Sequence, residues 1–100
     1  MVFALSLYRV NPKRDGIEPT IVEYLKKRGA VVVRLSGRAT PDLLVGYAGR
    51  WVLMECKATQ AGLNEGQEKF FSEAQRKGLP AYVVKSWGQA GDILDRMERL

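Results

Sequence analysis

Asp42, Glu55 and Lys57 carry charge at the ends of two otherwise apolar runs, DLLVGY (42–47) and WVLMECK (51–57). Both runs have strand composition, and the Ala48-Gly49 pair between them fits a tight hairpin turn. A two-residue loop pairs Tyr47 with Arg50, and counting back sets Asp42 opposite Glu55. A four-residue loop closed by Gly46 and Trp51 gives the same register. Opposed residues share a face, with Cβ atoms about 4.5–5.5 Å apart. Lys57, two residues past Glu55, points to that face as well. Two carboxylates about 4 Å apart repel by roughly 4 kcal/mol at an effective dielectric of 20. Relief could come from Lys57, from a proton held by one acid, or from a divalent cation between them. Oxygen donors without imidazole or thiolate favour a hard ion, Mg²⁺ or Mn²⁺. The plainer readings are a surface Glu55–Lys57 pair at a frayed strand end and Asp42 as a turn residue after Pro41.

Composition narrows the chemistry. The chain has 100 residues, 16 basic against 11 acidic, no histidine and one cysteine. Lack of histidine excludes imidazole zinc sites, Ser–His–Asp catalysis and a histidine base. A lone Cys56 excludes a disulfide framework or CxxC metal site and fits a reducing, intracellular compartment. The net charge of +5 is mild evidence for a polyanionic partner. No run of about 18 apolar residues is present, so no membrane span is expected. The leading MVFALSLY lacks a basic start and a cleavage site, and reads as a strand or docking arm within an N-terminal stretch, 1–14.

The length predicts one domain over 1–100. Helical spacing over 17–28 places Ile21, Val22 and Leu25 on one stripe, with basic residues before Gly29. AVVVRLS (30–36) reads as a strand, followed by the hairpin. Asn64 caps a second helix running to about Lys77, with Phe70, Phe71 and Ala74 inward. AYVVKS (81–86) is a strand, and 89–99 a last helix on Ala90, Ile93, Leu94 and Met97. The order α-β-β-β-α-β-α, with a right-handed crossover between the last two strands, predicts an α/β fold: a mixed four-stranded sheet flanked by helices and apolar on both faces.

Two more polar residues fall on apolar stripes. Glu18 is in line with Val22 and Leu25, and Gln67 with Phe70 and Phe71. Each has a capping-box alternative, Asp15-x-x-Glu18 and Asn64-x-x-Gln67.

Glu18, Pro41-Asp42 and Glu55-Cys56-Lys57 together resemble the PD-(D/E)XK nuclease pattern. More narrowly, IEPTIVEYLKKRGA, PDLLVGYAGRW, ECKA and LNEGQEKF resemble the VRR-NUC family, including its small stand-alone phage-type members, over about residues 15 to 90. The resemblance implies a restriction-endonuclease-like αβββαβ core and a metal-dependent endonuclease acting in the cytoplasm of a bacterial host. It implies that Asp42, Glu55 and the Cys56 carbonyl bind Mg²⁺ or Mn²⁺. Lys57 then positions or activates the attacking water, Glu18 holds a metal-bound water or a second ion, and Gln67 orients Lys57 or the nucleophile. The family commonly has glycine before Pro-Asp, where this chain has Thr40. Its stand-alone members resemble Holliday-junction resolvases in fold and in forming homodimers, so cleavage of branched DNA such as four-way junctions is implied. The N-terminal arm and the last helix are the candidate dimer contacts.

Arg38, Arg34 and Arg50, with Lys13 and Arg14, are candidate phosphate contacts, which position a duplex without reading bases. Arg38 leads directly into Asp42 and is the first choice among them. No recognition helix rich in Asn, Gln and Arg is evident, so recognition by shape is expected. The alternatives are a nicking, flap or restriction-like nuclease that needs a partner, and a DNA-binding module that does not cut.

Overall fold

The computed structural model describes residues 16–58 and 62–100. The N-terminal arm, with Lys13, Arg14 and Asp15, lies outside the described residues, so the expectations placed on it have no structural counterpart here. The elements run α1 (Glu18–Lys27), β1 (Val31–Arg34), β2 (Leu43–Tyr47), β3 (Arg50–Cys56), α2 (Glu65–Arg76), β4 (Ala81–Val84) and α3 (Trp87–Glu98). The strands form one sheet in the order β1-β2-β3-β4. The first three are antiparallel, and β4 joins β3 in parallel through the α2 crossover. The mixed α/β architecture expected from the sequence is therefore present.

The hairpin follows the two-residue register, Tyr47 facing Arg50 and Leu43 facing Met54. Ala48 and Gly49 both have positive φ, 52° and 77°. Such a turn carries the right-handed twist of the flanking strands into the hairpin.

One face of the sheet carries Leu43, Val45, Val52, Met54, Cys56 and Val84, which pack in one core with Ile21, Val22 and Leu25 of α1 and Ala90, Ile93, Leu94 and Met97 of α3. Arg28 ties these two helices at their rim, donating to Asp95 Oδ1 at 2.8 Å and to Tyr24 Oη at 2.7 Å. The apolar stripe of the last helix is thus consumed by the chain's own core, which leaves little of it for a dimer contact.

The opposite face is different. Among the described residues only α2 lies on it, and Val31, Val33 and Trp51 remain exposed. The expectation of burial on both faces is corrected here, because one helix cannot cover four strands. Phe70 and Phe71 are half-buried, their rings meeting edge to face at 5.3 Å, and only Ala74 of that trio is buried. The last helix starts at Trp87 rather than 89, because the Ser86 hydroxyl accepts from Gln89 N at 3.1 Å and caps it there.

Candidate active site

The less covered face holds the charged residues of the hairpin. Extending the Leu43–Met54 register by one residue sets Asp42 opposite Glu55. Leu35 N donates to Asp42 O at 2.8 Å, continuing the sheet past the end of β2. The Asp42 carboxylate is held across the hairpin, its Oδ2 accepting from Cys56 N at 2.8 Å. Both acids are therefore mounted on a rigid ladder.

Glu55 is 2 % exposed. Its Oε2 accepts from Gln67 Nε2 at 2.9 Å and lies 3.8 Å from Lys57 Nζ. Its Oε1 is buried with no hydrogen-bond partner. Burial, and then the charge of Asp42, push its carboxyl up to about 7, with Lys57 opposing. A buried carboxylate with an orphaned oxygen is costly to ionise. This is the frustration the facing-acid register implied.

Gln67 fills both of the roles that its position allowed. Its Oε1 accepts from Asn64 N at 3.0 Å and its backbone N–H donates to Asn64 Oδ1 at 2.8 Å, a complete capping box, while its amide nitrogen reaches Glu55. Lys57 stands where the alternation of β3 put it, beside Glu55.

Glu18 is placed otherwise. It is 1 % exposed, and its Oε2 accepts from Arg34 Nε at 2.9 Å. The helix N-cap is Ile17, without a side-chain cap. Among the described residues, no three of His, Cys, Asp and Glu gather closely enough to hold an ion. The chain's own Arg34 neutralises Glu18. That contact also changes the account of Arg34, whose guanidinium is engaged with a buried acid as well as being a candidate for phosphate.

Arg50 lies farther from the acids than Arg34, the other candidate phosphate contact on a strand. It pairs with Tyr47 at the turn, five residues from Glu55, about 17 Å at roughly 3.4 Å per residue. Strand alternation also turns it to the other face of the sheet. Sequence distance along one strand is a poor guide to proximity, because a strand spends its length in a straight line. Arg38 stays exposed in the loop ahead of Asp42.

That loop explains how Thr40 is accommodated. Gly37 has φ 136°, and a Cβ placed there would lie 2.5 Å from Thr40 Oγ1. Glycine at 37 makes the room that Thr40 needs. Cys56 is fully buried on the core side, as a small hydrophobe.

The residue that sequence reasoning left out is Asn64, read only as a cap. It also donates from Nδ2 to Arg38 O at 3.2 Å, joining α2 to the loop before Asp42. No local signal announces a contact across 26 residues.

The donor set suits a hard divalent cation. Two carboxylates meet, one with an unsatisfied buried oxygen, and no imidazole or thiolate competes. With two acids at hand among the described residues, the remaining positions would fall to a backbone carbonyl and water, as Mg²⁺ tolerates.

No family model matches the chain, and no curated protein matches it. A solved structure described as a "VRR_NUC domain" superposes with a TM-score of 0.63 at 25% identity, covering 78% of this chain and 94% of that one. The strand order and this superposition agree, and the chain has the fold of that VRR_NUC domain, in keeping with the family resemblance of its sequence.

Proposed function

We propose that the protein is a Mg²⁺- or Mn²⁺-dependent DNA endonuclease, acting as a homodimer on branched duplexes such as four-way junctions. The observation that carries the metal-dependent reading is Glu55: buried, facing Asp42, and with one oxygen left without a hydrogen bond. Such an arrangement is unfavourable in the free protein and favourable once a cation is shared between the acids.

Asp42, Glu55 and the Cys56 carbonyl would hold the ion. Bound there, it supplies Lewis acidity, lowering the pKa of water and offsetting charge on the phosphoryl oxygens. The chain's own groups do the rest. Gln67 holds Glu55 Oε2 from one side, so that the carboxylate keeps one orientation. Lys57, on the same side, is placed to orient the attacking water and to meet the charge growing on the phosphate. With no histidine in the chain, Lys57 is the side chain suited to that task. Glu18 and Arg34 form a charged pair, and Glu18 has a water-mediated role in this reading. Exposed Arg38 contacts the backbone of the duplex next to the site. A two-fold dimer would present two such sites to a symmetric junction.

The test is cleavage of an end-labelled four-way junction, a flap and a linear duplex with Mg²⁺ or Mn²⁺, against EDTA and Glu55→Gln. Paired symmetric cuts in the junction, lost in both controls, are expected. Cutting of flap or linear duplex alone would reject the junction preference. Cutting that survives EDTA would reject the metal.

A further inference from the structure

Glu55 lies on β3 and Asp42 just ahead of β2, and the loop that leads into Asp42 is outside the hairpin ladder. The first turn of α2 touches both halves. Toward β3, Gln67 Nε2 donates to Glu55 Oε2 at 2.9 Å. Toward the loop, Asn64 Nδ2 donates to Arg38 O at 3.2 Å. Gly66 lies beside Ala39 so closely that a Cβ at 66 would come within 2.9 Å of the Ala39 Cβ. From Ala39 the chain passes through Thr40 and buried Pro41 to Asp42.

The Gln67 amide has two dissimilar ends, and a carboxylate accepts only from its nitrogen. Which end faces Glu55 is decided at Asn64. The Asn64 N–H takes the amide oxygen at 3.0 Å, leaving the nitrogen for Glu55. The Asn64 backbone is in turn held by its own side chain, whose Oδ1 accepts from Gln67 N at 2.8 Å. Removing that side chain loosens the helix end and its tie to the loop directly, and the amide orientation through them.

We propose that Asn64 is a positioning residue: its side chain straps the start of α2 to the 38–39 loop and sets Asp42 and Glu55 relative to one another. The proposal rests on the nuclease reading only for its consequence in catalysis. The geometric part holds in the metal-free protein and is tested there.

The experiment uses the full chain, ¹⁵N-labelled, in EDTA. In the wild type, the Gln67 side-chain amide is expected to be slow to exchange. The Cys56 N–H, which donates to Asp42 Oδ2 at 2.8 Å, serves as the reporter of Asp42. Asn64→Ala is expected to keep the helical circular dichroism, to release the Gln67 amide to exchange and to shift Cys56 N–H. Asn64→Ser restores an acceptor for Gln67 N, but its hydroxyl is too short to reach Arg38 O. It should recover the Gln67 protection and leave the Cys56 shift, and it keeps the test usable if Asn64→Ala does not fold. Gly66→Ala should move Cys56 N–H by pressing on Ala39. With Mg²⁺ and the cleaved substrate, Asn64→Ala should lower kcat about tenfold at unchanged KM, with partial recovery in Asn64→Ser. Unchanged Gln67 and Cys56 signals in Asn64→Ala would overturn the proposal, whatever the activity. Altered signals in a protein that cleaves no DNA would support the strap and remove the nuclease reading instead.

Discussion

Replacing Glu55 by glutamine should stabilise the metal-free protein at neutral pH, and the size of the effect should depend on pH. The folded protein holds the Glu55 proton up to about 7, against an ordinary value of 4.5, because the carboxyl is buried beside Asp42. The folded state therefore binds this proton more tightly than the unfolded chain. Its contribution to stability is complete below about 4.5, falls as pH rises, and is gone above about 7. The full difference is about 3 kcal/mol at roughly 1.4 kcal/mol per unit, an order-of-magnitude figure. For a domain of this length that corresponds to a Tm change on the order of 10 °C. The substituted side chain carries no charge and still offers an oxygen to Gln67. The assay is thermal melting in EDTA from about pH 4.5 to 8.5, read as the Tm of Glu55→Gln minus that of the wild type, so that titration of other acids cancels. The difference should be near zero at the acid end, rise between about pH 5 and 7, and level off. Millimolar Mg²⁺ at about pH 8 should then raise the wild type alone and narrow the gap. A difference that does not vary with pH would refute the strained carboxylate. A mutant less stable than the wild type at that alkaline pH would make Glu55 a structural acid.

Lys57→Met should abolish cleavage with little change in melting in EDTA at about pH 5, where Glu55 is protonated. A collapsed fold there would mean that Lys57 is structural. Arg34→Met leaves buried Glu18 without its guanidinium and should cost about 3 kcal/mol by denaturant titration, most of it recovered in Arg34→Met/Glu18→Gln. Recovery absent from the double variant would show that the pair is not the source of the loss. Arg38→Ala should weaken junction binding in Ca²⁺ and flatten its salt dependence, while Arg50→Ala, at the far turn, should do neither. Ala48→Asn should stabilise by about 1 kcal/mol in chemical denaturation, since asparagine tolerates the positive φ better than alanine does.

Much of the architecture was legible because it is local. Two apolar runs around Ala48-Gly49 can only pair in a few registers, and alternation then carries Asp42, Glu55 and Lys57 to one face. Asn64 followed by Gln67 three residues on specifies a helix start, as the capping box bears out. Apolar spacing named the core faces of α1 and α3 in the same way, because a helix repeats about every 3.6 residues wherever it packs.

What tertiary structure decided concerns partners far apart in the chain. Glu18 lies on its buried stripe as expected, yet it pairs with Arg34, a contact that depends on where β1 runs beneath α1. Arg50, near in sequence to Glu55, ends far from it because an extended strand separates its ends. Phe70 and Phe71 remain half-buried because the sheet face they meet is left partly open. Gln67 shows the division most plainly. The cap that holds its oxygen is written within four consecutive residues, whereas the carboxylate that receives its nitrogen is supplied by a strand twelve residues earlier. Periodicity and turn chemistry act through neighbouring residues and can be read along the chain. The pairing of buried charges depends on which surfaces the fold brings together, and on the cost of leaving any of them without a partner.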